Sequence, residues 1–219
     1  MLAGQPQEAE MTRSPEDLSD VYGAKTPEQS RAIYNGWAQS YDADNLARGF
    51  RLPALGAAMF ARFMGTSEGP VLDAACGTGL VGESLRILGY GPITGCDLSP
   101  GMLAAAQATG HYADLAEAEM GSGLPFADDS FAGFVCVGAF GPGHAPPESL
   151  IHLARVTRPG GFGVFNLLEA TWKAQGFQSV LESLVDSGQM RIEQRSEPFL
   201  PFLLAEPDLW SRLYVIRRL

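Results

Sequence analysis

The sequence predicts an α/β fold: a doubly wound, mostly parallel seven-stranded sheet with helices on both faces and a helical N-terminal cap. From residue 71 onward, short apolar runs alternate with segments whose apolar residues recur at helical spacing. Strands joined through helices run parallel and place helices on both faces of the sheet. The length of 219 residues suits one domain with an appendage. We expect a disordered tail over residues 1–20, the cap over 21–65 and the α/β domain over 66–219.

The cap is predicted from two helical segments. Thr26 followed by Pro27 is a typical helix start, with the threonine as N-cap and the proline at the first helical position. This helix should end near Asp42. A second helix is expected from Pro53 to Met64, because apolar side chains recur there at helical spacing, namely Leu55, Met59, Phe60 and Phe63.

The sheet domain is predicted to alternate strands and helices. Strands are expected at residues 71–73, 93–97, 112–115, 131–137, 163–168, 190–195 and 213–217. Helices are expected at residues 80–88, from Ser99-Pro100 onward, at 146–156 and at 177–187. Ligands of such sheets bind outside the carboxyl ends of the strands. The loops after the first four strands are therefore where a binding site is expected.

The loop after the first strand reads Asp73-Ala74-Ala75-Cys76-Gly77-Thr78-Gly79. Gly77 and Gly79 have no Cβ, so the backbone can turn sharply and a ligand can lie against it. The following helix offers unpaired N–H groups at its start. Asp73 is an acceptor-only carboxylate that suits a cation or a hydrogen-bond donor. The loop therefore predicts a ligand with cationic and hydroxyl groups.

The same loop also matches the dinucleotide fingerprint G-x-G-x-x-G over residues 77–82, which is a weak signal by itself. An NAD(P)-dependent oxidoreductase is therefore one alternative. A carboxylate four residues before the first glycine would repel a pyrophosphate and attract the sulfonium and ammonium groups of S-adenosylmethionine. Asp73 thus favours S-adenosylmethionine as the cofactor.

The loops after the second and third strands carry candidate groups for a ribose and an adenine. Asp97 follows Asp73 by 24 residues, near the spacing of roughly 20 for an acid that holds a ribose diol. The alternative for Asp97 is an acid favoured by a helix N-terminus. Glu119 is a candidate acceptor for the adenine amino group, with Glu117 and Asp114 as rivals, and a solvated acidic loop is an equal alternative. The backbone of Met120 would be the donor, and the apolar slot would come from Leu98, Met102 and Leu124.

The exit of the fourth strand, from Val137 to His144, is rich in glycine. Its backbone carbonyls, beginning at Val137, are candidates for meeting the ammonium group of a methionine moiety. His144 is a candidate general base for a hydroxyl or amine nucleophile; the alternative is a solvent-exposed loop histidine.

An aromatic stripe occurs in the first cap helix at i, i+3 and i+7, formed by Tyr34, Trp37 and Tyr41. It is interpreted either as packing of the cap on the sheet domain or as a lid. In a lid, the rings would stabilise a sulfonium by cation–π attraction.

These motifs together resemble those of class I S-adenosylmethionine-dependent methyltransferases, in particular the Williams–Beuren syndrome region methyltransferase-like proteins. The resemblance covers Tyr34 to about Leu168 and rests on five motifs: Y-x-x-W-A-x-x-Y-D, D-x-x-C-G-T-G, D-L-S-P-G-M-L, L-P-F-x-D-x-S-F and R-P-G-G. It implies a Rossmann-like fold, S-adenosylmethionine as methyl donor and S-adenosylhomocysteine as product. Two departures stand out. Ala75 takes the place of the first glycine of many relatives, and Ala132 replaces an acid that often follows the phenylalanine in the fourth strand.

The overall composition limits the partners. A formal net charge of −10 and a pI near 4.7 argue against nucleic acid or an anionic membrane as the main partner. The three cysteines show no metal-ligand spacing, and the N-terminal segment lacks the apolar core of a signal peptide. We therefore expect a cytoplasmic monomer or homodimer without a metal that methylates a small molecule. A non-catalytic S-adenosylmethionine-binding protein is a further alternative.

Overall fold

One seven-stranded sheet forms the centre of the computed structural model, which describes residues 18–219. Its strands are β1 (Val71–Ala74), β2 (Ile93–Asp97), β3 (Asp114–Glu117), β4 (Phe131–Cys136), β5 (Thr157–Leu168), β6 (Met190–Arg195) and β7 (Ser211–Arg218). Their order is β3-β2-β1-β4-β5-β7-β6. The first five strands pair in parallel, whereas β7 runs antiparallel to both β5 and β6. The predicted mostly parallel, seven-stranded Rossmann-like sheet is confirmed.

Helices cover both faces of the sheet, as predicted. They are α1 (Ser19–Tyr22), α2 (Pro27–Trp37), α3 (Tyr41–Ala47), α4 (Leu52–Ala61), α5 (Leu80–Ile87), α6 (Pro100–Thr109), α7 (Ser149–Val156), α8 (Thr171–Ala174) and α9 (Phe177–Asp186). On one face, Phe60 of α4 and Leu85 of α5 are buried in one cluster with Val135. On the other, Leu150 of α7 and Leu181 of α9 are buried with Phe134. Strand β4 is therefore buried along its whole length, as a strand between two helical layers must be.

Two helix starts follow the capping chemistry of the sequence. Thr26 accepts a hydrogen bond from the backbone N–H of Gln29, and Ser99 accepts one from Met102. A proline follows each of these caps. Such a proline costs no hydrogen bond, because the first N–H groups of a helix have no partner within it.

The first cap helix is shorter than predicted. It ends at Trp37 instead of continuing to Asp42, and α3 begins at Tyr41. Two side-chain hydrogen bonds accompany the break: Trp37 Nε1 donates to Asp44 Oδ2 at 2.7 Å, and Thr78 Oγ1 donates to Asp42 Oδ1 at 2.5 Å. The turn brings Asp42 to the loop after β1, which an uninterrupted helix would not do.

Strand β5 begins at Thr157 rather than at Gly163, and two further boundaries differ for local reasons. Helix α7 begins at Ser149 rather than at Pro146, because a residue before a proline is driven out of the helical region and Pro146 precedes Pro147. Strand β3 covers residues 114–117 rather than 112–115. The side chain of Tyr112 turns inward instead and donates a hydrogen bond to Asp73.

The predicted cap consists of two differently placed parts. Helices α2 and α3 contact the loops at the carboxyl ends of β1, β2 and β4. Helix α4 packs on a sheet face. Of the predicted tail over residues 1–20, residues 1–17 lie outside the described part, and α1 begins at Ser19. No helix within residues 18–219 has the length and apolar character needed to cross a membrane.

Candidate cofactor and acceptor site

A cavity of about 420 Å³ lies where the sheet rule places a ligand, between α2 and the loops after β1, β2, β3 and β4. This volume falls within the range of about 300–1,000 Å³ of small-molecule sites. Eleven of the predicted site residues line it: Tyr34, Tyr41, Ala75, Gly77, Asp97, Leu98, Met102, Glu119, Met120, Val137 and His144. The other three, Trp37, Asp73 and Gly79, lie outside its lining.

Asp97 joins two of the loops that form the cavity. Its Oδ2 accepts the backbone N–H of Gly77 at 2.9 Å, and its Oδ1 accepts that of Ser99 at 2.9 Å. Burial raises the pKa of this carboxyl above its usual value, while the N–H donors act in the opposite direction. Each carboxylate oxygen has a further lone pair, so Asp97 can still accept hydroxyl groups from a ligand in the cavity.

The glycine loop presents open backbone to the cavity at Gly77. This residue has a φ of +54°, and a Cβ built on it would meet no protein atom within 4 Å. Ala75 also has a positive φ, of 57°, which an alanine adopts at a cost. Gly79 has a different reason to be glycine, since a Cβ there would lie 3.2 Å from the Tyr112 ring.

Asp73 is buried beneath the loop, with 1% of its surface exposed. Its Oδ2 accepts the hydroxyl of Tyr112 at 2.6 Å, and the backbone N–H of Gly82 also bonds to this carboxyl. Burial raises the pKa of Asp73 to about 7. Asp73 therefore fixes the start of α5 and the Tyr112 ring, behind the wall of the cavity.

Glu119 is the acid that the loop after β3 brings to the cavity. Its Oε1 accepts the backbone N–H of Gly121 and its Oε2 that of Ser122, both at 2.7 Å. The rival Glu117 is exposed and pairs with Arg31 at 2.6 Å, and Asp114 is exposed as well. Leu124 does not line the cavity but belongs to the core beneath it.

His144 and Tyr34 form a hydrogen-bonded pair across the cavity wall. His144 Nδ1 lies 2.7 Å from the carbonyl oxygen of Pro142, and Nε2 lies 2.7 Å from the hydroxyl of Tyr34. A carbonyl can only accept, so Nδ1 carries the proton and, in a neutral ring, Nε2 accepts from Tyr34. Burial lowers the pKa of His144 and raises that of Tyr34 well above its usual value. The imidazole is thus held neutral with its basic nitrogen facing the cap.

The aromatic stripe packs within the cap, and two of its three rings also line the cavity. The Trp37 ring lies 4.7 Å from that of Tyr41 and 6.1 Å from that of Tyr34, centroid to centroid. Trp37 is only 2% exposed and packs within the cap. Tyr34 and Tyr41 line the cavity, and their role as a lid stays a prediction.

Sequence reasoning missed two contacts that hold the cap to the site. Asn35 Oδ1 accepts the hydroxyl of Ser99 at 2.6 Å and the backbone N–H of Gly101 at 2.9 Å. A Cβ at Gly101 would lie 3.1–3.3 Å from atoms of Asn35, so the glycine permits this approach. The second contact is the hydrogen bond from Thr78 to Asp42. Gly101 in the S-P-G motif was the only local signal, because no pattern marks Asn35 itself.

Comparison with known proteins identifies the family of this chain. Residues 71–161 match a family described as a methyltransferase domain. Human methyltransferase-like protein 27, a Williams–Beuren region protein, is 34% identical over 180 residues, which cover 80% of this chain and 70% of that protein. The ubiquinone/menaquinone biosynthesis C-methyltransferase UbiE of Bdellovibrio bacteriovorus is 34% identical over 148 residues, covering 62% of this chain and 60% of its own.

Solved structures agree in fold. The [4+2]-cyclase SpnF superimposes with a TM-score of 0.65 at 17% identity, covering 89% of this chain and 97% of its own. A Haloferax volcanii methyltransferase solved with the activator Trm112 gives a TM-score of 0.64 at 20% identity. The match covers 84% of this chain and 97% of that methyltransferase. At these identities the likeness concerns the fold alone.

Proposed function

Because the chain belongs to the class I S-adenosylmethionine-dependent methyltransferases, we propose that it methylates a small-molecule acceptor enclosed beneath α2 and α3. The observation that carries this proposal is the cavity between Asp97, the Gly77 backbone and the two cap tyrosines. A site closed over by hydrogen-bonded helices suits a compact acceptor better than a polymer.

The residues present fit S-adenosylmethionine along the length of the cavity. Asp97 would accept the ribose hydroxyls, and the open backbone at Gly77 leaves room for a ligand to lie against it. Glu119 and the Met120 backbone would meet the adenine, between the side chains of Leu98 and Met102. Carbonyls from Ala75 and Val137 are the candidates for the methionine ammonium. The bound cofactor supplies a sulfonium-activated methyl group, and we propose that the protein aligns the acceptor with it and excludes water.

The three predicted site residues that do not line the cavity would act without touching the cofactor. Asp73 holds Tyr112 and the start of α5, and Gly79 leaves space for the same ring. Trp37 supports Tyr34 and Tyr41 from within the cap. We propose that these three residues position the cofactor-binding loop and the lid rather than touch the cofactor.

The charge of the chain supports a small acceptor over RNA. A net charge of −10 repels a phosphate backbone, whereas RNA-binding proteins gain much of their affinity from cationic side chains. The yeast 18S rRNA (guanine(1575)-N(7))-methyltransferase is 39% identical over 69 residues, covering 32% of this chain and 25% of its own. Its named substrate makes RNA the alternative that the experiment must test.

The remaining alternatives concern catalysis. The methyltransferase-family relatives argue against an NAD(P)-dependent oxidoreductase. A binding protein without transfer activity is the other alternative, and the fold of SpnF, whose name describes a cyclase, shows that such a fold is not confined to enzymes named methyltransferases.

The proposal is tested by following the label from S-adenosylmethionine tritiated in its methyl group. The protein is incubated with a metabolite extract below 3 kDa or with total RNA of the same cells, and with S-adenosylhomocysteine as inhibitor control. We expect label in the small-molecule fraction. Label confined to RNA would contradict the small-molecule proposal, and cofactor binding without any transfer would favour the non-catalytic alternative.

A further inference from the structure

A second, smaller space lies beside the cofactor cavity and shares a wall with it. Tyr34, Tyr41, Gly138 and His144 line both. The smaller space, here called the aromatic chamber, has a volume of about 60 Å³ and is otherwise enclosed chiefly by Tyr22, Trp37, Phe50, Phe140, Phe202 and Leu209. Because the two spaces share these four residues, a group in the chamber would lie next to the cavity and beside the hydrogen-bonded pair of Tyr34 and His144.

The lining of the chamber selects for an uncharged ligand. Among the described residues that line it there is no Asp, Glu, Lys or Arg. Its two asparagines are already engaged: Asn45 donates to the Tyr41 carbonyl, and Asn166 bonds to Gly138 and Ser211. A charged group placed here would lose its water without gaining an oppositely charged partner, which is costly. Aromatic walls instead favour a ring, which can pack edge to face against them.

The shared wall adds a proton acceptor. His144 Nδ1 is protonated against the Pro142 carbonyl, so Nε2 is the basic nitrogen and the Tyr34 hydroxyl donates to it. A hydroxyl that donates to Tyr34 Oη would complete a chain to Nε2. Imidazole removes a proton far more readily from a phenol, whose pKa resembles the value of about 10 for tyrosine, than from an aliphatic alcohol.

We propose that the aromatic chamber is the acceptor subsite and that the acceptor is a compact, uncharged phenol, an inference that rests on the proposed methyltransferase function. The phenol oxygen forms a bond to the methyl carbon as the carbon–sulfur bond breaks, and the electron pair of that bond stays on sulfur. The phenol proton passes through the Tyr34 hydroxyl to His144 Nε2. The positive charge lost from sulfur is thereby gained by the imidazole.

At about 60 Å³, the chamber is smaller than the space that a single aromatic ring requires. A cavity of about 150 Å³ holds benzene, so a phenol needs the chamber to widen. One wall is formed by Leu18 and by Val21 and Tyr22 of α1, a helix of four residues. Outward displacement of α1 is therefore expected when a phenol binds.

The first experiment compares two probes on the native chain saturated with methyl-labelled S-adenosylmethionine. 4-Methylphenol is expected to yield its methyl ether at least tenfold faster than 4-hydroxybenzoate, which carries a carboxylate in place of the methyl group. Equal rates, or no ether from 4-methylphenol while S-adenosylhomocysteine binds, would overturn the acceptor assignment. Failure of S-adenosylhomocysteine to bind would instead overturn the proposed function itself, and this inference with it.

A pair of variants then locates the acceptor. Leu209→Trp fills the chamber without lining the cofactor cavity, and Leu203→Trp makes the same change at a side chain that is 59% exposed. Leu209→Trp is expected to lower ether formation at least tenfold with the affinity for S-adenosylhomocysteine within twofold of native, and Leu203→Trp to change neither. Native rates in Leu209→Trp would place the acceptor elsewhere.

Discussion

The hydroxyl of Tyr34 lies 2.7 Å from Nε2 of His144, and this hydrogen bond joins the cap helix α2 to the loop after β4. The bond spans 110 residues of sequence. It places the basic nitrogen of a neutral imidazole at the wall between the cavity and the aromatic chamber. In the proposed mechanism, the attachment of the cap and the transfer of the acceptor proton would therefore depend on the same contact.

His144→Gln tests the base. General-base catalysis contributes about 10²–10⁴-fold, so kcat for a hydroxyl acceptor should fall at least tenfold while the affinity for S-adenosylhomocysteine changes less than twofold. Burial lowers the pKa of His144, so the native rate should rise with pH only below the usual histidine range, and the variant should lose that rise. The matched control is His111→Gln, which lies outside the cavity lining. An unchanged kcat in His144→Gln would remove the base from the account.

Asn35→Ala tests the attachment of the cap. The variant loses the hydrogen bonds that Ser99 and Gly101 donate to Asn35, so the free energy of unfolding should fall by about 1–3 kcal/mol. The dissociation rate of S-adenosylhomocysteine should also rise, because Ser99 bonds to Asp97. Asn35→Asp keeps an acceptor oxygen and should restore slow dissociation. Equal dissociation rates in all three proteins, followed by stopped-flow fluorescence, would show that this contact does not hold the lid.

Asp73→Asn tests the buried acid. Its pKa is about 7 in the folded chain and about 3.9 in the unfolded one. A raised folded pKa means that folding favours the protonated form, so this stabilisation is complete below pH 4 and is lost as the pH rises through 7. In urea titrations between pH 4 and 7, the free energy of unfolding of the native chain should fall relative to that of Asp73→Asn. The fall should be up to about 1.4 kcal/mol per pH unit.

The control for Asp73 is an exposed acid at the start of β3, Asp114. Asp114→Asn should leave the native pH dependence in place. Parallel stability curves of the native chain and Asp73→Asn from pH 4 to 8 would show that the pKa of Asp73 is not raised.

Gly82→Ala tests the packing beneath the glycine loop. A Cβ at Gly82 would lie 2.4 Å from Cζ and Oη of Tyr112, so the ring must move away from Asp73. Overpacking of this kind costs about 1–3 kcal/mol in unfolding free energy. Gly36→Ala is the matched control in α2, because its Cβ meets nothing within 4 Å. It should be neutral or stabilise the chain by up to about 1 kcal/mol. If the thermal unfolding midpoint of Gly82→Ala equals that of the native chain, the close packing of Gly82 against Tyr112 is contradicted.

Local chemistry made most of the fold predictable. Helix starts at Thr26 and Ser99 follow from the cap residue and the proline after it, and both are confirmed. The alternation of apolar strands and helices was sufficient to predict the sheet. The break between α2 and α3 was not predictable in this way, because residues 38–40 contain no glycine or proline and the turn is tied to the distant Thr78.

The site was predictable where its residues belong to the loops that follow the parallel strands. Loops after parallel strands converge by topology, which is why Gly77, Asp97 and Glu119 line one cavity. Asp73 follows the same rule, yet Tyr112, 39 residues away, covers it. The contact between Asn35 and Ser99 spans 64 residues. Such long-range pairs depend on how distant elements pack against one another, which no local sequence pattern predicts.

The most direct test of the account is isothermal titration of S-adenosylhomocysteine into the native chain, Asp97→Ala and Asp114→Ala. We expect micromolar binding to the native chain and to Asp114→Ala, and at least tenfold weaker binding to Asp97→Ala, because Asp97 lines the cavity and Asp114 does not. NADH should give no heat with any of the three. Binding of NADH alone, or equal affinity of Asp97→Ala and the native chain for S-adenosylhomocysteine, would contradict it.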